Sequence, residues 1–437
     1  MRTNLKAPAV PAPRTHEGAV AVRITPINEL RRSVLACMLW EDSFYESGED
    51  AAKRIAGLVA TTDPEAVAAL AIEARTAMKL RHVPLLLARE LARRKVNVAG
   101  LLPQIIKRPD ELTEFLAIYW RDGKVPLAAS VKRGLATAFR KFDSYSLAKY
   151  NRADAIKLRD VLFLCHAKPK DETQAATWKQ LVDGTLPTPD TWEVELSASK
   201  DKLASWTRLL AEKKLGALAL LKNLRNMNEA GVSESLVRSA LAECRMDWVL
   251  PFRFISAARH APKLEDALEA VMLRSLADTP KLRGKTALVI DGSGSMFGAK
   301  ISAKSELDRF DAACALAILA REVCEQVAVY VFSHNTYGVA PRRGFALRDL
   351  VRSAAEQGGT NTEHALQTAA SQGYDRIIVL TDEQSHQQVS PPLPESKGYF
   401  INVAGYKNGI GYGKWTHIDG WSESVIDYIR AAEAPAQ

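Results

Sequence analysis

From residue 26 to about residue 279, apolar residues recur every three or four positions along the chain. The period is clear in PEAVAALAIEARTAM, VPLLLARELARR and VKRGLATAFRKF, and it continues through YNRADAIKLRDVLFLCH. Spacing of this kind places the apolar side chains on one face of a helix. The segments end near Gly, Pro, Asn or Asp, which are typical helix stop signals. A succession of short amphipathic helices over ~250 residues predicts an α-solenoid of stacked helix pairs.

After Gly284 the pattern changes to alternating strands and helices. The β-rich runs are residues 286–290, 327–332, 377–381 and 399–403. The helical patterns are residues 307–326, 347–357, 361–372 and 422–432. This alternation predicts a doubly wound, Rossmann-like α/β domain with a mostly parallel sheet. We therefore divide the chain into a Pro-rich N-terminal tail (residues 1–25), a helical-repeat domain (26–284) and an α/β domain (285–437).

Composition adds limits on where the protein acts. The chain has 437 residues, of which 47% are hydrophobic and 25% charged, as in ordinary folded proteins. No apolar run approaches the ~20 residues that a membrane span needs, so we expect no membrane partner. The N-terminal residues have no apolar signal region, which predicts a cytoplasmic location. The five cysteines are scattered and lack CxxC spacing, so we expect reduced thiols.

The positive charge is concentrated in the helical part. Residues 1–285 hold 46 Lys/Arg against 34 Asp/Glu, whereas residues 286–437 hold 13 against 17. Within residues 75–170 the count is 21 basic against 8 acidic. Such an excess over adjacent helices is the expected footprint of a phosphate backbone. The alternative is that these side chains simply solvate a helix face.

Eight positions within this stretch are the candidate RNA contacts. They are Lys132, Arg133, Arg140, Lys141, Lys149, Arg152, His166 and Lys168. A lone histidine at such a position is more often a packed residue at a helix end than a ligand contact. Tyr119, Trp120 and Tyr150 could stack on bases, but aromatic residues at helical spacing usually belong to the core.

The stretch ALVIDGSGSM directs a hydrophobic strand into a loop rich in oxygen atoms. It presents Asp291, Ser293 and Ser295, and the later segments GGTN and VLTDE add Thr360 and Asp382. Because ligands of α/β folds bind at the carboxyl ends of the strands, we expect these side chains to lie together. Two carboxylates and three hydroxyls form a hard-oxygen set that suits a divalent cation such as Mg²⁺.

Other interpretations of this loop are weaker. It lacks the G-x-x-x-x-G-K-[ST] pattern of a nucleotide-binding loop, and G-x-S-x-G fails at its last glycine. A bare turn would leave the downstream GGT and TDE segments without a role. The D-x-S-x-S, Thr and Asp elements resemble the metal-ion-dependent adhesion site of von Willebrand factor A domains.

The whole chain resembles a TROVE-domain protein of the Ro autoantigen family. The motifs that carry the resemblance are YNRADAIKLRDVLFLCHAKP, LLKNLRNMNEAG and LPFRFISAAR. It implies a ring of HEAT-like helices whose ends are joined by the A domain. It also implies that small Y RNAs bind the outer basic surface and that single-stranded 3′ ends of misfolded RNAs enter the central hole.

Residue by residue, the resemblance assigns Lys149 and His166 to Y RNA binding. A further basic position of the family falls on Ala153 here, with Arg152 beside it. The five residues of the metal site match throughout.

These observations predict a non-catalytic, RNA-binding ribonucleoprotein component that acts as a monomer in RNA quality control, processing or stress survival. The alternative is a divalent-cation-dependent docking scaffold that recruits an exoribonuclease or another protein through its A domain. An enzyme is the third possibility, because two carboxylates and a metal ion can activate water. However, the loop histidines His334, His364 and His386 are not spaced as a general base would require.

Overall fold

A computed structural model describes most of the chain. The described residues are 14–15, 20, 25–36, 48–76, 80–152, 155–246, 249, 251–301, 306–404, 409–411, 413–419 and 424–433. Contacts divide the chain into two compact units. The helical unit comprises residues 48–246 and 257–268, and the α/β unit comprises residues 1–47, 247–256 and 269–437. None of the described helices is long and apolar enough to cross a membrane.

Seventeen α-helices precede the sheet within the described residues. They are α1 (Pro26–Ala36), α2 (Gly48–Thr61), α3 (Pro64–Thr76), α4 (Val83–Arg93), α5 (Leu102–Ile105), α6 (Asp110–Tyr119), α7 (Ala129–Phe139), α8 (Ser144–Tyr150), α9 (Leu158–Cys165), α10 (Glu172–Asp183), α11 (Trp192–Ala198), α12 (Lys202–Ala211), α13 (Ala217–Lys222), α14 (Leu224–Glu229), α15 (Glu234–Glu243), α16 (Pro251–His260) and α17 (Glu265–Leu276).

The helical unit is held together by helices that pack on neighbours close in sequence. α4 packs on α2, α3 and α6, and α7 packs on α5 and α9. A methyl group on Gly134 of α7 would lie 2.8 Å from a Leu102 methyl of α5, so the two helices approach closely because this residue has no side chain. Nearest-neighbour packing of this kind is typical of a helical-repeat architecture.

One predicted helix is interrupted. The helix expected through YNRADAIKLRDVLFLCH is instead the end of α8 and the whole of α9, and the described residues 155–157 between them are not helical. Lys157 has an extended backbone, and its N–H donates to the Asp160 carboxylate at 2.8 Å. This capping contact begins a new helix at Leu158. The prediction of one continuous helix was therefore wrong.

The α/β unit contains a six-stranded sheet. Its strands are β1 (Leu282–Asp291), β2 (Cys324–Phe332), β3 (Thr336–Val339), β4 (Arg376–Thr381), β5 (Lys397–Asn402) and β6 (Thr416–Asp419). Its later helices are α18 (Arg309–Val323), α19 (Gly344–Ala354), α20 (Thr362–Ala370) and α21 (Ser424–Glu433). The strand order is β3-β2-β1-β4-β5-β6, and only β3 pairs antiparallel.

This architecture confirms the predicted fold class, a helical part followed by a doubly wound α/β domain. The four predicted strands correspond to β1, β2, β4 and β5. The short strands β3 and β6 were not predicted, because four residues such as TYGV or THID carry too little apolar alternation to be recognised.

The first helix belongs to the α/β unit. α1 packs on β6, and the Arg32 guanidinium of α1 lies 2.6 Å from the Glu383 carboxylate. His417 of β6 lies 2.8 Å from the other oxygen of Glu383. Arg32 and Glu383 are both buried. The compact units therefore do not follow the bounds drawn at residues 25 and 284, because this buried ionic contact ties α1 to the sheet.

The contact with Arg32 and His417 lowers the pKa of Glu383. Burial alone would raise it, but the charges and hydrogen bonds of Arg32 and His417 outweigh burial and lower the pKa of Glu383 to about 2. Since the folded pKa lies below the ordinary value of 4.5, the contact stabilises the fold fully above pH 4.5. Its contribution is lost as the pH falls towards 2.

Replacing Arg32 by alanine is expected to destabilise the α/β unit by about 3–5 kcal/mol at pH 7, because Glu383 is left buried without its arginine. Urea unfolding, with hydrogen exchange of the β4 amides as a local probe, measures the loss. Arg225→Ala is the matched control, since Arg225 forms only an exposed pair with Glu229 at 3.5 Å and should lose about 0–1 kcal/mol. The Arg32→Ala deficit should shrink between pH 4.5 and pH 2. A deficit equal to that of the control at pH 7 would refute this account.

Candidate nucleic-acid interface and metal centre

The acidic loops lie where the chain reverses its winding direction in the sheet. β1 and β4 are parallel neighbours at the centre, with Ile290 paired to Leu380. Asp291 therefore ends β1 beside Thr381, whose hydroxyl donates to the Asp291 carboxylate at 2.5 Å. Asp382 follows β4 directly. A topological switch point of this kind is where open α/β sheets bind ligands.

Backbone hydrogen bonds hold the other predicted loops next to the Asp291 loop. The Gly294 N–H donates to the Gly358 carbonyl at 2.9 Å, and the Gln357 N–H donates to the Gly292 carbonyl at 3.0 Å. The Ser385 hydroxyl donates to the Thr360 carbonyl at 3.2 Å. The loops that carry Asp291, Thr360 and Asp382 are thus joined into one constellation.

The oxygen atoms of this constellation are almost entirely shielded from water. Asp291, Ser293 and Asp382 are buried, and Ser295 is half-buried with its hydroxyl 3.3 Å from that of Ser293. Burial first, and then the negative charge of Asp382, raise the pKa of Asp291. Among the described residues no cationic side chain forms an ion pair with Asp291. Its carboxylate therefore has hydroxyl and N–H donors but no compensating positive charge.

Arg309, at the start of α18, supplies positive charge on one side of the constellation. Its guanidinium lies 3.6 Å from the Asp382 carboxylate and 3.4 Å from the Ser295 carbonyl, and its side chain is buried. The donor set of carboxylates and hydroxyls fits a hard divalent cation, which would balance the charge of Asp291. No cluster of three His, Cys, Asp or Glu able to hold a metal occurs in the described part of the chain, so a metal here would depend on the serine and threonine oxygens.

His334 and His364 form hydrogen bonds within the loops that surround them. His334 accepts the Gly359 N–H at 3.0 Å, and the ring nitrogen of His364 lies 3.0 Å from the Thr336 hydroxyl. His334 thus supports the glycine pair that precedes Thr360. His386 is exposed.

In the helical unit, five arginines in the first half of the basic stretch pair with acidic residues. Arg75 pairs with the buried Glu111 at 2.6 Å, and Arg81 pairs with Asp110 at 2.7 Å. Further such pairs involve Arg89, Arg93 and Arg108. The acidic residues of residues 75–170 are therefore concentrated where these arginines lie. Residues 75–128 hold 11 basic against 5 acidic residues, and residues 129–170 hold 10 against 3. Both halves therefore keep a positive charge, and acidic partners are fewest from α7 to α9.

Seven of the eight candidate RNA contacts fall into two groups. Five basic residues are exposed or half-buried and form no ion pair with any described residue; they are Lys132, Arg133, Lys149, Arg152 and Lys168. Two others support the fold. Lys141 donates to the carbonyls of Pro103, at 2.5 Å, and Ile106, and Arg140 donates to the Lys168 carbonyl at 2.7 Å. Burial first, and then the charge of Lys107, lower the pKa of Lys141 to about 8.

The eighth candidate, His166, occupies an unusual backbone conformation. It ends α9 with φ 52° and ψ 42°, in the left-handed region where glycine is normally found. Its N–H donates to the Phe163 carbonyl at 3.2 Å, and its side chain is exposed. The conformation is unfavourable for a residue with a Cβ atom, so glycine would adopt it with less strain than histidine.

Sequence reasoning missed Arg309, Arg32 and Glu383. Glu383 could have been noticed, because it directly follows Asp382 in VLTDE. The arginines gave no local signal, since only folding brings them beside the acidic loops. Of the aromatic residues considered for stacking, Tyr119 is core, and the Trp120 indole donates to the Val125 carbonyl at 2.8 Å.

Comparisons with known proteins agree with this architecture. Residues 177–278 match the TROVE domain, and residues 286–384 match the von Willebrand factor type A domain. The chain is similar to the RNA-binding protein RO60 of Deinococcus radiodurans, at 24% identity over 360 residues. That alignment covers 67% of this chain and 66% of the relative, slightly less than two thirds of its length. The crystal structure of the D. radiodurans RO (RSR) protein superposes with a TM-score of 0.62 at 18% identity, covering 93% of this chain and 99% of the other.

Mg²⁺ is expected to stabilise the α/β unit through the buried carboxylates. At about 100 times its Kd, the cation should add about 2.7 kcal/mol of stability relative to EDTA. Thermal unfolding with and without Mg²⁺ measures the shift. Asp291→Ala and Asp382→Ala should abolish it, whereas Asp349→Ala, which alters an exposed carboxylate on α19, should retain it. An equal shift in the Asp291→Ala protein would exclude this metal site.

Replacing His166 by glycine should stabilise the helical unit by about 0.5–1 kcal/mol, because glycine adopts the left-handed conformation without strain. If the imidazole contacts RNA, the same variant should bind RNA more weakly. Lys213 also has a positive φ, of 54°, at the end of α12, so Lys213→Gly is the matched control. It should gain similar stability in urea unfolding without a change in RNA affinity. Unchanged RNA affinity in His166→Gly would remove His166 from the interface.

Proposed function

Since this chain carries a TROVE domain followed by a von Willebrand factor type A domain, we propose that it is an RNA-binding protein. The observation that carries the proposal is the group of basic side chains on and after α7 that have no acidic partner among the described residues. The name of the D. radiodurans relative, an RNA-binding protein, supports it. RNA phosphates would neutralise these charges and release their counterions on binding.

The proposed ligands are small structured non-coding RNAs, similar to Y RNAs, and the single-stranded ends of misfolded RNAs. Contacts made through phosphates carry little sequence information, so such a surface would accept many RNAs. This breadth suits a role in RNA quality control or processing. The exposed positions Arg133, Arg152, His166 and Lys168, together with Lys149, are the proposed contacts.

We further propose that the α/β unit holds a divalent cation, with Mg²⁺ favoured by the oxygen donors. Asp291, Ser293, Ser295, Thr360 and Asp382 would hold it. Two carboxylates do not complete a protein cage, so the cation would keep a position open for water or for a carboxylate of a partner protein. This would make the α/β unit a docking module.

RNA affinity is expected to fall steeply with salt. Single-stranded RNA should lose about 0.7 log units of affinity per log unit of salt for each phosphate neutralised. The double variant Lys149→Glu with His166→Glu should weaken binding to a small structured RNA by at least about tenfold, since it replaces attraction by repulsion. Filter binding from 50 to 300 mM KCl measures both effects.

Lys53→Glu with Lys222→Glu is the control for net charge. Both lysines are exposed helix residues of the helical unit outside residues 75–170. This control should bind structured RNA nearly as well as the wild type. An absence of RNA binding at 50 mM KCl would overturn the proposed function. Equal losses in the two double variants would overturn the proposed contacts.

A further inference from the structure

An aromatic side chain is exposed among the basic residues of α7 to α9. Tyr145, on α8, has a relative solvent exposure of 51%. The one buried residue of that helix is Leu147. Packing therefore does not require an aromatic residue at position 145. A single exposed tyrosine is common on protein surfaces, so the surroundings decide its meaning.

Those surroundings alternate aromatic rings and cations. The Lys149 ammonium, one turn after Tyr145, lies 6.0 Å from the Tyr145 ring centre and 5.8 Å from the Tyr150 ring centre. Arg108 lies over the Tyr150 ring at 4.6 Å. Asp110 pairs with Arg108 through two contacts, at 3.0 and 2.5 Å, which holds the guanidinium in place.

The two tyrosines are therefore not equivalent. One face of the Tyr150 ring is covered by Arg108, and Tyr150 is only half-exposed. Within the described part of the chain, Tyr145 has no arginine over its ring: only the Lys149 ammonium lies over it, at the longer distance of 6.0 Å, and the residue is 51% exposed. That ammonium forms no ion pair with a described residue. An exposed aromatic ring next to an ammonium group suits the two parts of a nucleotide. The base stacks on the ring, and the ammonium neutralises the phosphate.

We propose that Tyr145 stacks on the base of an unpaired RNA nucleotide while Lys149 binds the adjacent phosphate. The inference rests on the proposed RNA-binding function and names the class of RNA that this surface selects. Bases in a duplex are stacked on their neighbours and cannot lie flat on a side chain. The surface around α8 thus distinguishes a loop or single-stranded segment from a helical stem, without reading its sequence.

The test compares two fluorescein-labelled probes on the full-length protein, a 12-nucleotide oligouridine and a blunt duplex RNA. Tyr145→Ala should weaken binding of the single strand on the order of tenfold and leave the duplex affinity unchanged. Tyr145→Phe should bind both probes as the wild type does, because stacking needs the ring and not the hydroxyl. The slope of affinity against salt should be the same in all three proteins, since no charge is removed.

Tyr337→Ala is the matched control, because Tyr337 is a tyrosine of 43% exposure on β3 of the other unit. It should bind both probes normally. Lys149→Met should reduce the salt slope for the single strand by about 0.7, the value of one phosphate contact. Urea unfolding of each variant confirms that the fold is retained.

The outcomes separate the two proposals. If the wild type binds neither probe, the proposed function fails and the stacking proposal fails with it. If the wild type binds the single strand and Tyr145→Ala binds it equally well, RNA binding stands and the stacking role is refuted. Equal weakening of single strand and duplex would also refute it, because a stacking contact acts only on the unpaired base.

Discussion

Three carboxylates, Asp291, Asp382 and Glu383, are buried together at one edge of the central sheet. Charges removed from water must be compensated, and each is compensated differently. Glu383 is held by Arg32 and His417, which come from the first helix and the last strand of the α/β unit. Asp382 has Arg309 nearby, whereas Asp291 has only hydroxyl and N–H donors among the residues that the structure describes. Asp291 is therefore the carboxylate whose charge a divalent cation would balance.

In the helical unit, by contrast, several basic side chains that form no ion pair with a described residue are exposed at the surface. Arg75 and Arg81 pair with acidic residues of α6, and Arg89 pairs with Glu90 of its own helix, so these arginines contribute to the fold. From α7 to α9 the acidic partners are few, and basic side chains remain exposed. The total charge of a stretch is therefore a poor guide to its electrostatic field. What matters is which cations keep their charge unpaired at the surface, and these lie on and between α7, α8 and α9.

The sequence was sufficient to predict features that arise from local pattern. The central strands follow from continuous apolar runs. The proximity of the loops that carry Asp291, Thr360 and Asp382 follows from their positions just after strands or before a helix. Features that depend on distant contacts could not be predicted. Nothing near Arg32 indicates that it pairs with a carboxylate 351 residues away. Likewise, VKRGLATAFRKF does not reveal that Lys141 caps backbone carbonyls while Arg133 remains exposed.

The pairing of Arg32 with Glu383 also constrains how the protein is made on the ribosome. The α/β unit is interrupted by the helical unit, so its first helix emerges long before the strands on which it packs. At about 5–20 residues per second, the 351 residues that separate the partners take about 18–70 seconds to synthesise. During that interval the helical unit can fold by itself through contacts between neighbouring helices. Helix α1 must wait, with its arginine hydrated, until synthesis reaches Glu383, the buried acid that fixes the helix in place.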